Sequence, residues 1–175
     1  TQLVLTDIAV SKEKIAIPML LCVGAINKHL IKKKLRGYVS INVQTGEALD
    51  THSFATILGV GATTINPYLA LDSLHQRYKK NLFGKFRYEE CVERYIKSVN
   101  SGLLKIMSKM GISVLSSYRG GCNFEALGLS RTIVSEYFHG VTSKISGIGL
   151  VGIEQKKKNI HNEAFQSNDN ILPIG

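Results

Sequence analysis

The chain of 175 residues contains no tryptophan and only three cysteines and three prolines. Cys22, Cys91 and Cys122 are widely spaced and odd in number, which argues against a disulfide framework or a structural zinc site. Long hydrophobic runs are also missing, because the longest, residues 15–26, is too short to span a bilayer and contains Pro18. These absences predict a cytoplasmic protein with reduced thiols and no membrane partner.

Acidic residues are scarce beside basic ones. The chain has 22 Lys and Arg against 13 Asp and Glu, a formal net charge of +9. Basic residues cluster at positions 32–36, 77–80 and 156–158, and the first two clusters fall where helices are expected to end and where the helix dipole favours cations. Because no aromatic nucleic-acid motif accompanies these clusters, they indicate a solvated surface rather than a nucleic-acid interface.

Short apolar segments alternate with helical patterns along the chain. Strands are predicted at residues 3–5, 38–43, 62–66 and 112–115. Helices are predicted from a cap at Ser11 to residue 31, and at residues 51–58, 68–80, 88–110, 124–127, 131–137 and 153–165. This alternation predicts an α/β fold with mostly parallel strands, forming either part of a barrel or a small open sheet. We expect an α/β core over residues 1–152, and a C-terminal helix with a frayed tail over residues 153–175.

The longest helical pattern, residues 88–110, has apolar side chains at spacings of three and four and is interpreted as core. Gly102 lies inside it and leaves open whether it forms one helix or two. The pattern ends at Gly111 and is followed by the predicted strand at residues 112–115 and a glycine-rich loop. Ligands and partner domains usually meet α/β proteins at the carboxyl ends of strands, so this loop is a candidate contact.

Three other sequence patterns could bind a ligand or take part in catalysis. Residues 147–152 form a Gly-x-Gly-x-x-Gly run, but the polar segment before it, residues 142–146, is a poor strand, so a flexible turn is expected. The Arg-Gly-Gly run at residues 119–121 could hold a phosphate group. Asp50 and His52 lack a third ligand at a useful spacing. We therefore expect no catalytic residue, no metal site and no cofactor within this segment.

Several short motifs occur in a fixed order. They read IPMLL at residues 17–21, GEA at 46–48, INPYLA at 65–70, MSKMGIS at 107–113 and SSYRGG at 116–121. The order and residues of these motifs resemble those of the central domain of the glutamate synthase large-subunit family. In that family the last two motifs read MSKMGIST and SYRGAQ. The resemblance extends from about residue 5 to residue 150, with departures at Asn27 and Lys28, where that family has histidines.

This resemblance implies a role. The family transfers the amide nitrogen of glutamine to 2-oxoglutarate, with FMN and an iron–sulfur cluster carried elsewhere in the parent enzyme. Its central domain lies between the glutaminase domain and the FMN-binding barrel, and serves as an α/β scaffold that helps shape the ammonia path. The chain would then be a non-catalytic fragment whose partners are those two domains, and an isolated fragment would tend to self-associate.

The loop after residue 115 is the expected interdomain contact, because glycines permit close backbone approach and arginine can pair with a carboxylate. The predicted contact residues, drawn from the matching motifs, are Ser117, Tyr118, Arg119, Gly120, Gly121, Lys109, Asn66 and Tyr68. Two alternatives remain open. One is a free-standing basic module that binds phosphate or nucleic acid, and the other is a small enzyme that uses the loop at residues 117–119.

Overall fold

A three-stranded parallel sheet, in the order β1-β2-β3, organises the computed structural model, which describes residues 1–166. Its strands are β1 (Gln2–Thr6), β2 (Ser40–Gln44) and β3 (Thr64–Asn66). The register places Gln44 opposite both Thr6 and Asn66. All three strands therefore end at one edge of the sheet, here called the carboxyl end, and begin at the opposite edge, the amino end. Three of the four predicted strands are confirmed.

Helices connect these strands and continue beyond them. They are α1 (Met19–Lys32), α2 (Thr51–Val60), α3 (Tyr68–Lys79), α4 (Tyr88–Lys109), α5 (Leu115–Tyr118), α6 (Arg131–Tyr137) and α7 (Leu150–Phe165). A second parallel pair consists of β4 (Glu125–Leu129) and β5 (Thr142–Ile148). The predicted α/β class with short parallel strands is confirmed, and the sheets described over residues 1–166 are small and open, without closure into a barrel.

The core lies between the three-stranded sheet and its helices. Ile41 and Val43 of β2 are buried there with Val23 of α1, as the alternating burial along β2 requires. A smaller cluster surrounds Ile133, Val134 and Phe138. The two clusters meet at Gly24, where an added Cβ would lie 2.5 Å from the carbonyl oxygen of Tyr137. The glycine thus allows α1 and the end of α6 to approach closely.

The predicted strand at residues 112–115 is wrong. Gly111 adopts a left-handed conformation (φ 70°), and the amide of Ile112 donates to the carbonyl oxygen of Met107 at 2.9 Å. This hydrogen bond uses the amide locally, and the one-turn helix α5 then begins at Leu115. The glycine-rich loop therefore follows a helical turn, and it does not lie at the carboxyl end of a strand.

Two further expectations are wrong in the last third of the described chain. Residues 124–127 were expected to be helical, but β4 begins at Glu125. The flexible turn expected at residues 147–152 is replaced by the end of β5 and the start of α7, and the polar residues 142–146, expected to be a poor strand, form most of β5. Most residues of both strands are exposed, so their sequences lack the apolar alternation typical of half-buried strands. The helix expected at residue 153 begins at Leu150, so the glycine run at residues 147–152 lies at a strand-to-helix junction.

The structure also settles two expectations about helices. The predicted cap at Ser11 is wrong, because Pro18 disfavours a helical conformation in the residue before it and α1 begins only at Met19. α4 is one continuous helix through Gly102, where an added Cβ would lie 2.6 Å from Cγ2 of Thr51. This glycine allows close packing of α2 and does not end a helix. The predicted frayed tail lies outside the described residues from position 167 onwards.

Candidate functional site

The loops that follow β1 and β2 meet at the carboxyl end. The hydroxyl of Thr45 donates to Oδ2 of Asp7 at 2.5 Å, and the amide of Gly46 donates to Oδ1 of Asp7 at 3.1 Å. The amide of Thr45 donates to the carbonyl oxygen of Asn66 at 3.0 Å, which adds the end of β3. Thr45 is 0% exposed although it is polar. Its hydrogen bonds therefore hold the three strand ends together.

Glu47 extends this network to two helices. Its Oε2 accepts a hydrogen bond from the amide of Met19 at 2.8 Å, and Lys157 forms an ion pair with its Oε1. Its own amide donates to the hydroxyl of Thr45 at 3.0 Å. Because α1 has no side-chain cap from Pro18, the Glu47 carboxylate satisfies one of the free amides at the start of that helix. The carboxylate also fastens α7 to the sheet.

Tyr68 adds a phenol to the same group. An added Cβ at Gly46 would lie 3.1 Å from the Tyr68 hydroxyl, so the ring covers this turn. Burial raises the pKa of Tyr68 above its ordinary value, and a hydrogen bond to Asp7 and the nearby negative charges of Asp7, Asp72 and Glu47 raise it further. The phenol therefore stays neutral and serves as a hydrogen-bonding group at this edge.

The loop at residues 116–121 packs at the amino end, against α2. The hydroxyl of Tyr118 donates to the carbonyl oxygen of Ala55 at 3.1 Å, and its ring meets that of Phe124 edge-on. The amide of Gly120 donates to the carbonyl oxygen of Gly59 at 2.8 Å. Tyr118 is only 1% exposed. Tyr118 is thus a core residue that holds the loop in place.

Two half-buried arginines meet at this loop, Arg119 from the loop itself and Arg36 from the turn before β2. Nη1 of Arg119 donates to the hydroxyl of Thr63 at 3.1 Å, while Nε of Arg119 is buried without an acceptor among the described residues. Arg36 donates to three neutral oxygens, namely Asn27 Oδ1 (2.6 Å), Val39 O (2.6 Å) and Gly61 O (2.7 Å). Burial lowers the pKa of Arg36, and the positive charge of Arg119 lowers it further.

The structure separates the predicted contact residues instead of bringing them into one site. Asn66 and Tyr68 are at the carboxyl end, and the five loop residues 117–121 are at the amino end. Lys109 is exposed at the end of α4. The sequence grouped Arg36 with the exposed lysines before it, yet its side chain is fixed and half-buried. No short-range sequence pattern predicts that the Arg36 side chain is fixed and half-buried.

An apolar groove lies beside the edge strand β1. It has a volume of about 480 Å³ and includes Asp7 and Met19 in its lining. Four of its lining residues are exposed aliphatic side chains, namely Val4, Val10, Ile15 and Ile17. Here this surface is called the β1 groove. Exposed aliphatic patches of this kind are typical of surfaces that are covered by another domain or partner.

Between positions 1 and 166, no three side chains of His, Cys, Asp and Glu come together in a group that could hold a metal ion. Within that range, none of the helices combines the length and apolar character needed to cross a bilayer. Of the three cysteines, which are all unpaired, Cys91 is buried and Cys122 is exposed.

Comparison with known proteins decides the family. The family model of the glutamate synthase central domain matches residues 1–130. The chain belongs to the glutamate synthase central domain family. Similar proteins include the glutamate synthase [NADPH] large chain of Azospirillum brasilense, 51% identical over 175 residues, which are 100% of this chain and 12% of that protein.

Two further relatives of this central-domain chain come from different lineages. The glutamate synthase [NADPH] large chain of Bacillus subtilis is 44% identical over 164 residues, covering 94% of this chain and 11% of that protein. The ferredoxin-dependent glutamate synthase of Pyropia yezoensis is 44% identical over 166 residues, covering 90% and 11%. The chain thus spans 11–12% of the length of these relatives, and the region is shared by proteins named for different electron donors.

Proposed function

We propose that this chain is a non-catalytic scaffold within a glutamate synthase. Its partners are the glutaminase and FMN-binding domains of the same parent chain, and it helps to enclose the path of ammonia between them. The parent is an oxidoreductase of glutamate biosynthesis and nitrogen assimilation, in which other domains bind FMN and an iron–sulfur cluster. The family match over residues 1–130 supports this placement.

One observation favours a structural role over a catalytic one. Ligands of α/β proteins usually bind at the carboxyl ends of the strands. In this chain the polar groups at that end, Asp7, Thr45 and Glu47, hydrogen-bond to one another, to backbone amides and to Lys157. A catalytic group must direct a functional atom at a substrate. These groups instead hold the strand ends and two helices together.

The β1 groove is the surface we assign to a neighbouring domain. Its aliphatic side chains are exposed beside an edge strand, and removing them from water would favour association at roughly 25 cal/mol per Å² of buried apolar area. In the isolated chain the same surface would promote self-association. Light scattering of the isolated chain should therefore show assembly that increases with concentration, and an Ile15→Ser, Ile17→Ser variant should weaken it.

The decisive experiment uses the intact parent enzyme. The Ile15→Ser, Ile17→Ser variant should release free ammonia, so that the ratio of glutamine hydrolysed to glutamate formed rises above that of the unaltered enzyme. The matched control is Leu82→Ser, because Leu82 is 64% exposed and Ile17 is 65% exposed, but Leu82 lies outside the groove. An unchanged ratio in the groove variant would contradict the scaffold role of this surface.

A catalytic alternative is separable by its own variant. Tyr68→Phe removes the phenol oxygen at the carboxyl end while keeping the ring. If the role is structural, the rates of glutamine hydrolysis and glutamate synthesis in the variant parent should both stay within about twofold of the unaltered enzyme. A twofold change corresponds to less than about 0.5 kcal/mol in activation free energy. A loss of several orders of magnitude in either half-reaction would instead favour a catalytic function for this edge.

A further inference from the structure

The amino end of the sheet contains a polar cleft with a pair of fixed cations. The cleft has a volume of about 630 Å³ and includes Asn27, Arg36, Thr63, Ser116, Arg119 and Gly120 in its lining. Arg36 comes from the turn before β2, and Arg119 comes from the loop after α5. Two distant parts of the chain therefore bring guanidinium groups to one place.

The chain segments that build the cleft around these arginines contain no acidic residue. Residues 1–6, 27–40, 59–64 and 112–124 include no aspartate or glutamate, but they contain four lysines and two arginines. Neither arginine takes part in an ion pair within residues 1–166. The positive charge of the cleft is therefore uncompensated by the described chain, which favours an anionic ligand.

The hydrogen bonds of the two guanidiniums leave donors free. Each guanidinium has five N–H groups. Arg36 uses three of them on neutral oxygens, which fixes its position without neutralising its charge. Arg119 uses one, on Thr63. Two guanidiniums held in place with unused donors form a preorganised receptor for an oxyanion, because arginine binds carboxylate and phosphate through paired N–H groups.

We propose that the cleft between Arg36 and Arg119 binds one small oxyanion, a phosphate or carboxylate group. The inference does not depend on the scaffold role, because it rests on the two arginines and the missing acidic residues alone. A single anion fits better than a nucleic-acid strand, since both fixed arginines line one cleft and the three exposed lysines at residues 32–34 lie outside its lining.

Anion binding can be measured on the full 175-residue chain. Phosphate is titrated at constant ionic strength, with chloride as the reference anion, and the thermal unfolding midpoint and isothermal heat are recorded. We expect a saturable rise of the midpoint with phosphate that chloride does not reproduce. An equal response to both salts would mean a general ionic-strength effect and would overturn the site.

Matched variants locate the binding. Arg119→Gln should weaken phosphate binding about tenfold or more, the usual loss for a hydrogen bond to a charged group. Arg119→Lys keeps the charge but loses the fork, and should give an intermediate loss even if Arg119→Gln folds poorly. Lys33→Gln removes an exposed charge of the same surface and should change binding by less than about twofold. Equal losses in the Arg119 and Lys33 variants, or tighter binding of an oligonucleotide that depends on Lys33, would overturn the single-anion cleft.

The source of the oxyanion is distinguished in the intact parent. Hydrogen exchange of residues 116–121 is compared with and without phosphate in the 175-residue chain and in the parent enzyme. A freely diffusing anion predicts that phosphate slows exchange in both. An acidic side chain of a neighbouring domain predicts a response only in the 175-residue chain, with the loop already protected in the parent. No response in either protein would contradict the proposal.

Discussion

The two ends of the three-stranded sheet differ in whether their charged groups are paired within the described chain. At the carboxyl end, two carboxylates, a buried hydroxyl and Lys157 satisfy one another. At the amino end, Arg36 and Arg119 donate only to neutral oxygens and repel each other. The carboxyl end is therefore complete within the chain, whereas the amino end retains charge for a group from elsewhere. This is the reverse of the usual arrangement in α/β proteins, whose ligands meet the carboxyl end.

The largest effect that this comparison predicts is at Thr45. Thr45→Val keeps the shape but leaves the Asp7 carboxylate and the Glu47 amide each short of a partner. The free energy of unfolding should fall by about 2–3 kcal/mol, because both groups are partly buried. Urea unfolding measures this change. The control is Thr56→Val, whose hydroxyl bonds only to carbonyls of its own helix, and a similar loss in both variants would contradict the special role of the carboxyl end.

The attachment of α7 should give the next largest effect. Lys157 and Glu47 are both about 30% exposed, while the neighbouring pair Lys158–Glu154 is more exposed and lies within the helix. Lys157→Met should cost about 1–2 kcal/mol, since it removes the cation from a half-buried carboxylate. Lys158→Met should cost much less, because exposed ion pairs contribute little to stability. If thermal unfolding ranks the two variants in the opposite order, the carboxyl end does not hold α7.

Acid should reduce the stability that a carboxylate near the carboxyl end contributes, and it should leave the contribution of the amino end unchanged. Asp50 caps α2, and hydrogen bonds from the hydroxyl and amide of Ser53 lower the pKa of Asp50 below its ordinary value. A lowered pKa in the folded state gives stability that is present above the unfolded pKa and lost as pH falls through the folded value. Asp50→Ala should therefore cost about 1 kcal/mol at pH 7 and progressively less below about pH 4.

The matching control for this pH dependence is Arg119→Ala. This variant removes no carboxylate, so its effect on stability should be constant between about pH 3 and 7. Urea unfolding at several pH values compares the two variants. A constant deficit for Asp50→Ala would mean that its carboxylate gives no charge-dependent stability to the cap.

Sequence patterns predicted the central sheet well because burial alternates residue by residue along its strands, and apolar alternation marks such strands. β4 and β5 were missed because consecutive exposed residues interrupt this alternation in both strands. The network at the carboxyl end was missed for another reason. Asp7 and Thr45 are 38 residues apart and meet only through strand register, which no local pattern encodes. The loop at residues 116–121 was placed at the wrong edge because the strand predicted before it does not form.

The smallest effect on stability is expected at Arg119 itself. Arg119→Ala removes one hydrogen bond to Thr63 but also relieves repulsion with Arg36, and these changes oppose each other. The loop keeps its anchors, because Tyr118 and Gly120 still bond to α2. The unfolding free energy of the isolated chain should therefore change by about 1 kcal/mol or less. In the intact parent the same variant should release ammonia without product, if the loop meets another domain. A large loss of stability without ammonia release would show that Arg119 is an internal structural residue. The polar groups at both ends of the sheet would then serve the chain's own stability, and the two ends would differ only in the sign of their charge.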